Sequence, residues 1–145
     1  MAAFEFQETM TGSFRLAGEP RERALSFTVR ARSPRVRAFL TRPEVEMEGE
    51  VDAEGFADHR LLRGTLGLDM IRTRTMPYAL HFTANDGKAY SFVGKKTLHA
   101  ASMVESLTVL PGAILDAGGA AVGEALLRFD LKSDLVRFLR SFRLA

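Results

Sequence analysis

The sequence predicts a mainly β protein: about eight antiparallel strands in an up-and-down, lipocalin-like barrel, with a short helix after the second strand and a C-terminal helix packed on the barrel. Three observations lead there. Apolar and polar residues alternate with period two through most of the chain, as in strands with one buried face. The runs are joined by short turn-like segments, which favours successive hairpins over crossovers. Glycine also recurs inside the runs, in MTGSF, MEGEV, LRGTLGL, FVGKK, LPGAIL and VGEALL. Glycine weakens a strand there, so a series implies strands bent at barrel corners or space left along a lumen. A half-open barrel plugged by the closing helix and a two-sheet sandwich are the competing architectures.

The first run places Phe4, Phe6, Met10, Gly12, Phe14 and Leu16 on one face and Glu5, Gln7, Thr9, Thr11, Ser13 and Arg15 on the other. Glu8 alone breaks the pattern by falling on the apolar side. After a turn at Gly18-Glu19-Pro20, Leu25, Phe27, Val29 and Ala31 define a second inner face. Ser33 followed by Pro34 reads as an N-cap and first helical residue, with Val36, Phe39 and Leu40 as the apolar stripe and Pro43 as the stop.

The third run alternates Val45, Met47, Gly49, Val51 and Ala53 with Glu44, Glu46, Glu48, Glu50 and Asp52. Five carboxylates on one face read as a solvated surface balanced by Arg30, Arg32 and Arg63 on neighbouring strands, or as a cation site. Leu62, Gly64, Leu66, Leu68 and Met70 form a fourth inner face, and Met76, Tyr78, Leu80, Phe82 and Ala84 a fifth. Tyr90, Phe92, Gly94, Lys96 and Leu98 form the sixth. Between the last two, a three-residue loop at Asn85-Asp86-Gly87 pairs Phe82 with Tyr90 and Leu80 with Phe92, keeping both faces inside, and Gly87 supplies the left-handed residue such a loop needs. Glu105 to Asp116 is the least regular run, broken at Pro111-Gly112 by a bulge or a true interruption. Gly123, Ala125, Leu127, Phe129 and Leu131 give a last inner face. A helix from about Asp134, capped by Ser133, closes the chain with Leu135, Phe138, Leu139 and Phe142 along its stripe.

With 145 residues, the chain is expected to be a single barrel domain over 1–145, large enough for a core without metal or disulfide. It has no cysteine, which excludes thiolate zinc sites and thiol catalysis and suits a cytoplasmic location. No secretory leader is visible at the N-terminus, and no apolar run reaches the roughly 18 residues of a spanning helix, so no stable membrane insertion is expected. A net charge of +2 with interspersed signs points away from nucleic acid. His59, His81 and His99 sit on outward positions without metal-ligand spacing, and no nucleotide-binding glycine fingerprint or nucleophile elbow is present. No cofactor or metal is therefore expected.

Chemistry concentrates on two inward charges, Glu8 and Lys96. Burying either alone costs several kcal/mol, so they pair with each other, or they face the polar head of a ligand. Tyr78 and Tyr90 can donate hydrogen bonds in the same space. The inner faces are rich in large soft side chains, among them Phe6, Met10, Met70, Phe82 and Phe92, which either fill the barrel or line a site for a small apolar molecule. The expected function is non-catalytic binding or shielding of a lipid, fatty acid or sterol-like ligand. The alternatives are a small barrel isomerase or cyclase using Glu8 and Lys96, and a solid-core protein-interaction module, with an enzyme partner or a homo-oligomer as the further association to expect. Arg137, Arg140 and Arg143 along the closing helix, and Arg35, Arg37 and Arg42 around the first, read as a solvated basic face or as a membrane-resting one.

Three stretches, FEFQETMTG, MPYALHFTANDGKAYSFVGKK and LLRFDLKSDLVRFLRSFRL, resemble a bacterial module. It is similar to segments fused to FAD-dependent oxidoreductases of the glucose-methanol-choline, cholesterol-oxidase-like type and to some α/β-hydrolases. The resemblance runs through nearly the whole chain in order. It implies an accessory, non-catalytic domain beside enzymes of sterols or other lipids. Glu8 in ETMTG and Lys96 in VGKK fall on its motif positions, whereas the flavin fingerprint and the hydrolase elbow of the fused enzymes are absent here.

Overall fold

The structure, a computed structural model, describes residues 4–129 and 143–144. Eight long strands form a closed antiparallel barrel: β1 (Phe4–Leu16), β2 (Arg23–Arg32), β3 (Glu44–Ala53), β4 (Ala57–Gly67), β5 (Thr75–Thr83), β6 (Ala89–Thr97), β7 (Val109–Asp116) and β8 (Ala121–Arg128). Each pairs with its neighbour in sequence, and β1 pairs with both β2 and β8, which closes the ring. The half-open barrel and the sandwich are thereby set aside. A two-residue strand, β9 (Arg143–Leu144), joins β1 opposite Phe4 and Glu5. Arg143 therefore lies on a strand and not on the predicted closing helix; the rest of that helix falls outside the described residues.

Among the described residues, helices occur only in the connections at one end: α1 (Val36–Thr41) between β2 and β3, α2 (Met70–Thr73) between β4 and β5, and α3 (Met103–Thr108), after a 3-10 turn at Ala100–Ser102, between β6 and β7. The other end carries four short hairpin turns. No helix among the described residues is long and apolar enough to cross a membrane.

The β5–β6 register matches the three-residue loop: Phe82 lies opposite Tyr90 and Leu80 opposite Phe92. Gly87 has φ +80° and its N–H donates to Ala84 O at 3.0 Å. Four expectations need correction. Ser33 does not cap α1; its buried hydroxyl accepts the Phe4 N–H at 2.8 Å, tying β1 to the end of β2, while Arg35 takes the cap position without a side-chain bond. Leu40 is not part of a buried stripe but 77% exposed, whereas Phe39 packs edge-on against Phe4. The fourth strand begins at Ala57 and ends at Gly67, so Leu68 and Met70 lie beyond it, although Leu68 still packs against the core. Pro77 has no N–H to extend the β4–β5 ladder beyond Leu66 and Tyr78, whereas on the other side the Leu68 N–H carries the β3–β4 pairing one step further, to Pro43 O at 2.7 Å. Met70 then opens α2. Finally, Glu105–Thr108 is helical, and only from Val109 does the chain become a strand, in which Pro111 stays in register opposite Leu126.

The glycines divide between two tasks. At Gly64 a Cβ would run into the backbone carbonyl of Ala79 on β5, so the adjoining strand lies closer there than any side chain permits. Gly94 and Gly112 lie opposite each other on β6 and β7, and the Phe92 ring occupies the room both leave. That space is filled from inside the barrel, not left as lumen.

Candidate functional site

Glu8, Lys96 and Tyr78 come together as the alternation demands. They point inward from β1, β6 and β5; the two bonds to Glu8 span the interior, while Lys96 and Tyr78 sit on adjoining strands. The Tyr78 hydroxyl donates to Glu8 Oε1 at 2.7 Å, and Lys96 Nζ donates to Glu8 Oε2 at 3.1 Å. All three are buried, with exposures of 6% for Glu8 and 2% each for Lys96 and Tyr78. The ammonium lies 5.2 Å from the centre of the Tyr78 ring and 6.0 Å from that of Phe129, within the range where a ring face attracts a cation. Burial pushes the Tyr78 phenol well above the usual tyrosine range, and the adjoining Glu8 carboxylate pushes it the same way.

Tyr90 does not join this group. Its hydroxyl donates to Asp86 Oδ2 at 2.8 Å in the β5–β6 turn. It pairs with Phe82, four residues along β5 from Tyr78, which is about 13 Å of strand. Parity placed both tyrosines inward, but height along the barrel separates them. Of the predicted apolar lining, Phe6 and Met10 flank Glu8 on β1 and are buried. Phe82 and Phe92 are buried in the hairpin half, where Phe92 packs against Phe27 and Phe82 stacks on Tyr90. Met70, on α2, is not on a barrel strand at all.

An aromatic that strand alternation does not reveal completes the hairpin end. Phe56, in the three-residue β3–β4 turn, meets Phe14, Phe82 and Tyr90 at ring separations of 6.0, 6.2 and 4.8 Å. Its only signal was an aromatic inside an otherwise polar turn. Beneath this plug, Leu25, Phe27, Val51, Ala53, Leu62, Leu80, Phe82, Phe92 and Ile114 surround a void of about 10 Å³. That is at the threshold for a single water. No buried side-chain polar atom among the described residues lacks a partner.

Outside, the acidic face of β3 is matched by arginine. Arg30 lies opposite Glu48 and Arg32 opposite Glu46, while Arg63 Nη2 reaches Glu48 Oε1 at 3.3 Å. An open groove of about 840 Å³ runs over this ladder, and its charges are interleaved, not of one sign. The three histidines are exposed, and no group of three or more potential metal ligands gathers among the described residues. His59 instead sits beside Glu50 and Asp52, at 3.2 and 3.7 Å.

No protein-family model, curated protein or solved structure matches this chain.

Proposed function

We propose that this chain is a non-catalytic binding module on a lipocalin-like barrel, with a solid interior and a partner met on its outer surface. One observation carries the reading: the void among Leu25, Phe27, Leu62, Leu80, Phe92 and their neighbours, beneath the Phe56 plug, is about 10 Å³. Small-molecule sites run to some 300–1,000 Å³, so a lipid in the lumen calls for wholesale repacking of a close-packed core. Glu8, Lys96 and Tyr78 fit a structural role in the same account. Both carboxylate oxygens are engaged, and the three groups link strands from different sides of the ring. The resemblance to modules beside sterol and lipid enzymes supports an accessory part, with the partner being such an enzyme or the surface on which it works.

The second reading is sequestration of a fatty acid or sterol-like molecule, its polar head held by Glu8, Lys96 and Tyr78. The observation in its favour is the ammonium facing the ring of Phe129, where β8 ends. An isomerase or cyclase using the Glu8–Lys96 pair likewise needs a substrate to reach these buried groups. Titration with a fluorescent fatty acid separates the readings. A solid barrel gives no saturable uptake at micromolar protein. Saturable one-to-one uptake that unlabelled fatty acid displaces and Lys96→Met weakens would overturn the proposal.

A further inference from the structure

The two ends of the barrel differ in charge and in exposed apolar groups. The three connections at the helical end carry Arg35, Arg37, Arg42, Arg72 and Arg74, all exposed, against Asp69 and Glu105, leaving three positive charges net. At the adjoining strand ends Arg32, Lys95 and Arg128 are matched by Glu5, Glu44 and Glu46, so the positive balance rests on the connections themselves. The four hairpin turns have the opposite balance, Glu19, Glu22, Glu54 and Asp86 against Arg21 and Lys88.

Exposed apolar side chains share this bias. Five large ones are exposed among the described residues, and three lie in the helical connections: Leu40 at 77%, Met103 at 43% and Leu107 at 38%. Met103 and Leu107 are four apart on α3, so they share a face. The hairpin turns contribute none. α1 and α3 follow strands on opposite sides of the ring, so a flat surface laid across this end meets both.

We propose that the helical end docks on an anionic lipid surface, with the arginines against headgroups and Leu40, Met103 and Leu107 entering the interface. This deepens the proposed function and rests on its claim that binding is external. Charge complementarity selects the partner's sign: each basic side chain near an anionic leaflet adds attraction, and apolar tips between them add burial. Single-stranded nucleic acid is the other polyanion to consider, but its binding surfaces set aromatic rings among the basic groups for bases to stack on. Here the exposed tips are leucine and methionine. Their number is small, so the contact is peripheral and reversible.

Cosedimentation with vesicles tests this. Phosphatidylcholine vesicles containing about 30 mol% phosphatidylserine should pellet the protein at low salt, and phosphatidylcholine alone should not. Arg37→Glu with Arg42→Glu should lower the bound fraction about tenfold or more, and Leu40→Ser severalfold. Arg21→Glu, at the hairpin end, should leave it unchanged. These exposed positions are substituted without touching the core, and circular dichroism verifies the fold. A supernatant that retains the protein with the anionic vesicles overturns the proposal. So does binding that Arg21→Glu weakens as much as the α1 variants. Binding to single-stranded RNA that survives Leu40→Ser unchanged and exceeds vesicle binding assigns the surface to nucleic acid instead. Fatty-acid uptake into the lumen would sink the solid-barrel reading alone, and failure of vesicle binding sinks only this inference.

Discussion

The two halves of the barrel solve the problem of filling a closed sheet differently. The hairpin half is sealed with rings: Phe56 folds back from its turn over Phe14, Phe82 and Tyr90, and the polar tip of Tyr90 reaches Asp86 at the rim. The helical half keeps a carboxylate, an ammonium and a phenol inside. Apolar packing is tolerant, because hydrophobic side chains of the right volume substitute for one another at modest cost. A buried ion pair is not, since losing one partner strands the other charge. Hairpin turns are also short and set by backbone geometry, whereas the longer helical connections are free to carry surface chemistry. The contrast sets a tolerant apolar seal at one end against a sensitive polar contact at the other.

The largest effect that breaks this contrast lies in the helical half. Glu8→Gln keeps an acceptor for Tyr78 but leaves the Lys96 charge unpaired, and Lys96→Met does the converse. Each should cost about 3–5 kcal/mol in urea unfolding. The double variant should recover most of that loss. If the losses simply add, the pair is not the unit described here. Gly64→Ala comes next, because its Cβ meets the Ala79 carbonyl on the adjoining strand. A loss of about 2–3 kcal/mol is expected, and a neutral result would mean that the two strands move apart freely. In the hairpin half, Phe56→Ala should cost about 2 kcal/mol, less than a fully buried phenylalanine because Phe56 is only half-buried.

The smallest effects are in pH. Tyr78 is held neutral in the folded state by burial and by Glu8, so its contribution is intact below the unfolded tyrosine value of about 10. As pH rises above that value the unfolded chain gives up the proton first, and stability falls. Tyr78→Phe should remove this alkaline component from denaturation curves taken between about pH 9 and 11. At the other end, the Lys88 N–H and then the Tyr90 hydroxyl hold the Asp86 carboxyl below its ordinary range. Its contribution is present above the unfolded aspartate value and is lost as pH falls through the lower folded one. Asp86→Asn should flatten that acid limb, and an unaltered limb would show that the turn bonds do not reach global stability.

What the sequence made legible followed from parity. Glu8, Lys96 and Tyr78 could be placed inward because period-two alternation is strict on β1, β5 and β6, and the hairpin register followed from keeping both faces inside. Parity says nothing about height along the barrel, so it does not separate Tyr90 from residues some four positions away. It also fails where strands end. Met70 belonged to a run whose alternation continued past the point where Pro77 stops the ladder. Ser33 looked like a cap because its neighbour is proline, but the strand pairing of Phe4 claimed its hydroxyl. The filling of the space beside Gly94 and Gly112 was out of reach, since it depends on which rotamer Phe92 takes.

The central claim is that the barrel is solid. Native mass spectrometry of protein purified from its own host tests it most directly. The account predicts the bare polypeptide mass, unchanged when the protein is unfolded and refolded without lipid. A stoichiometric lipid or sterol mass that leaves only on unfolding would contradict it.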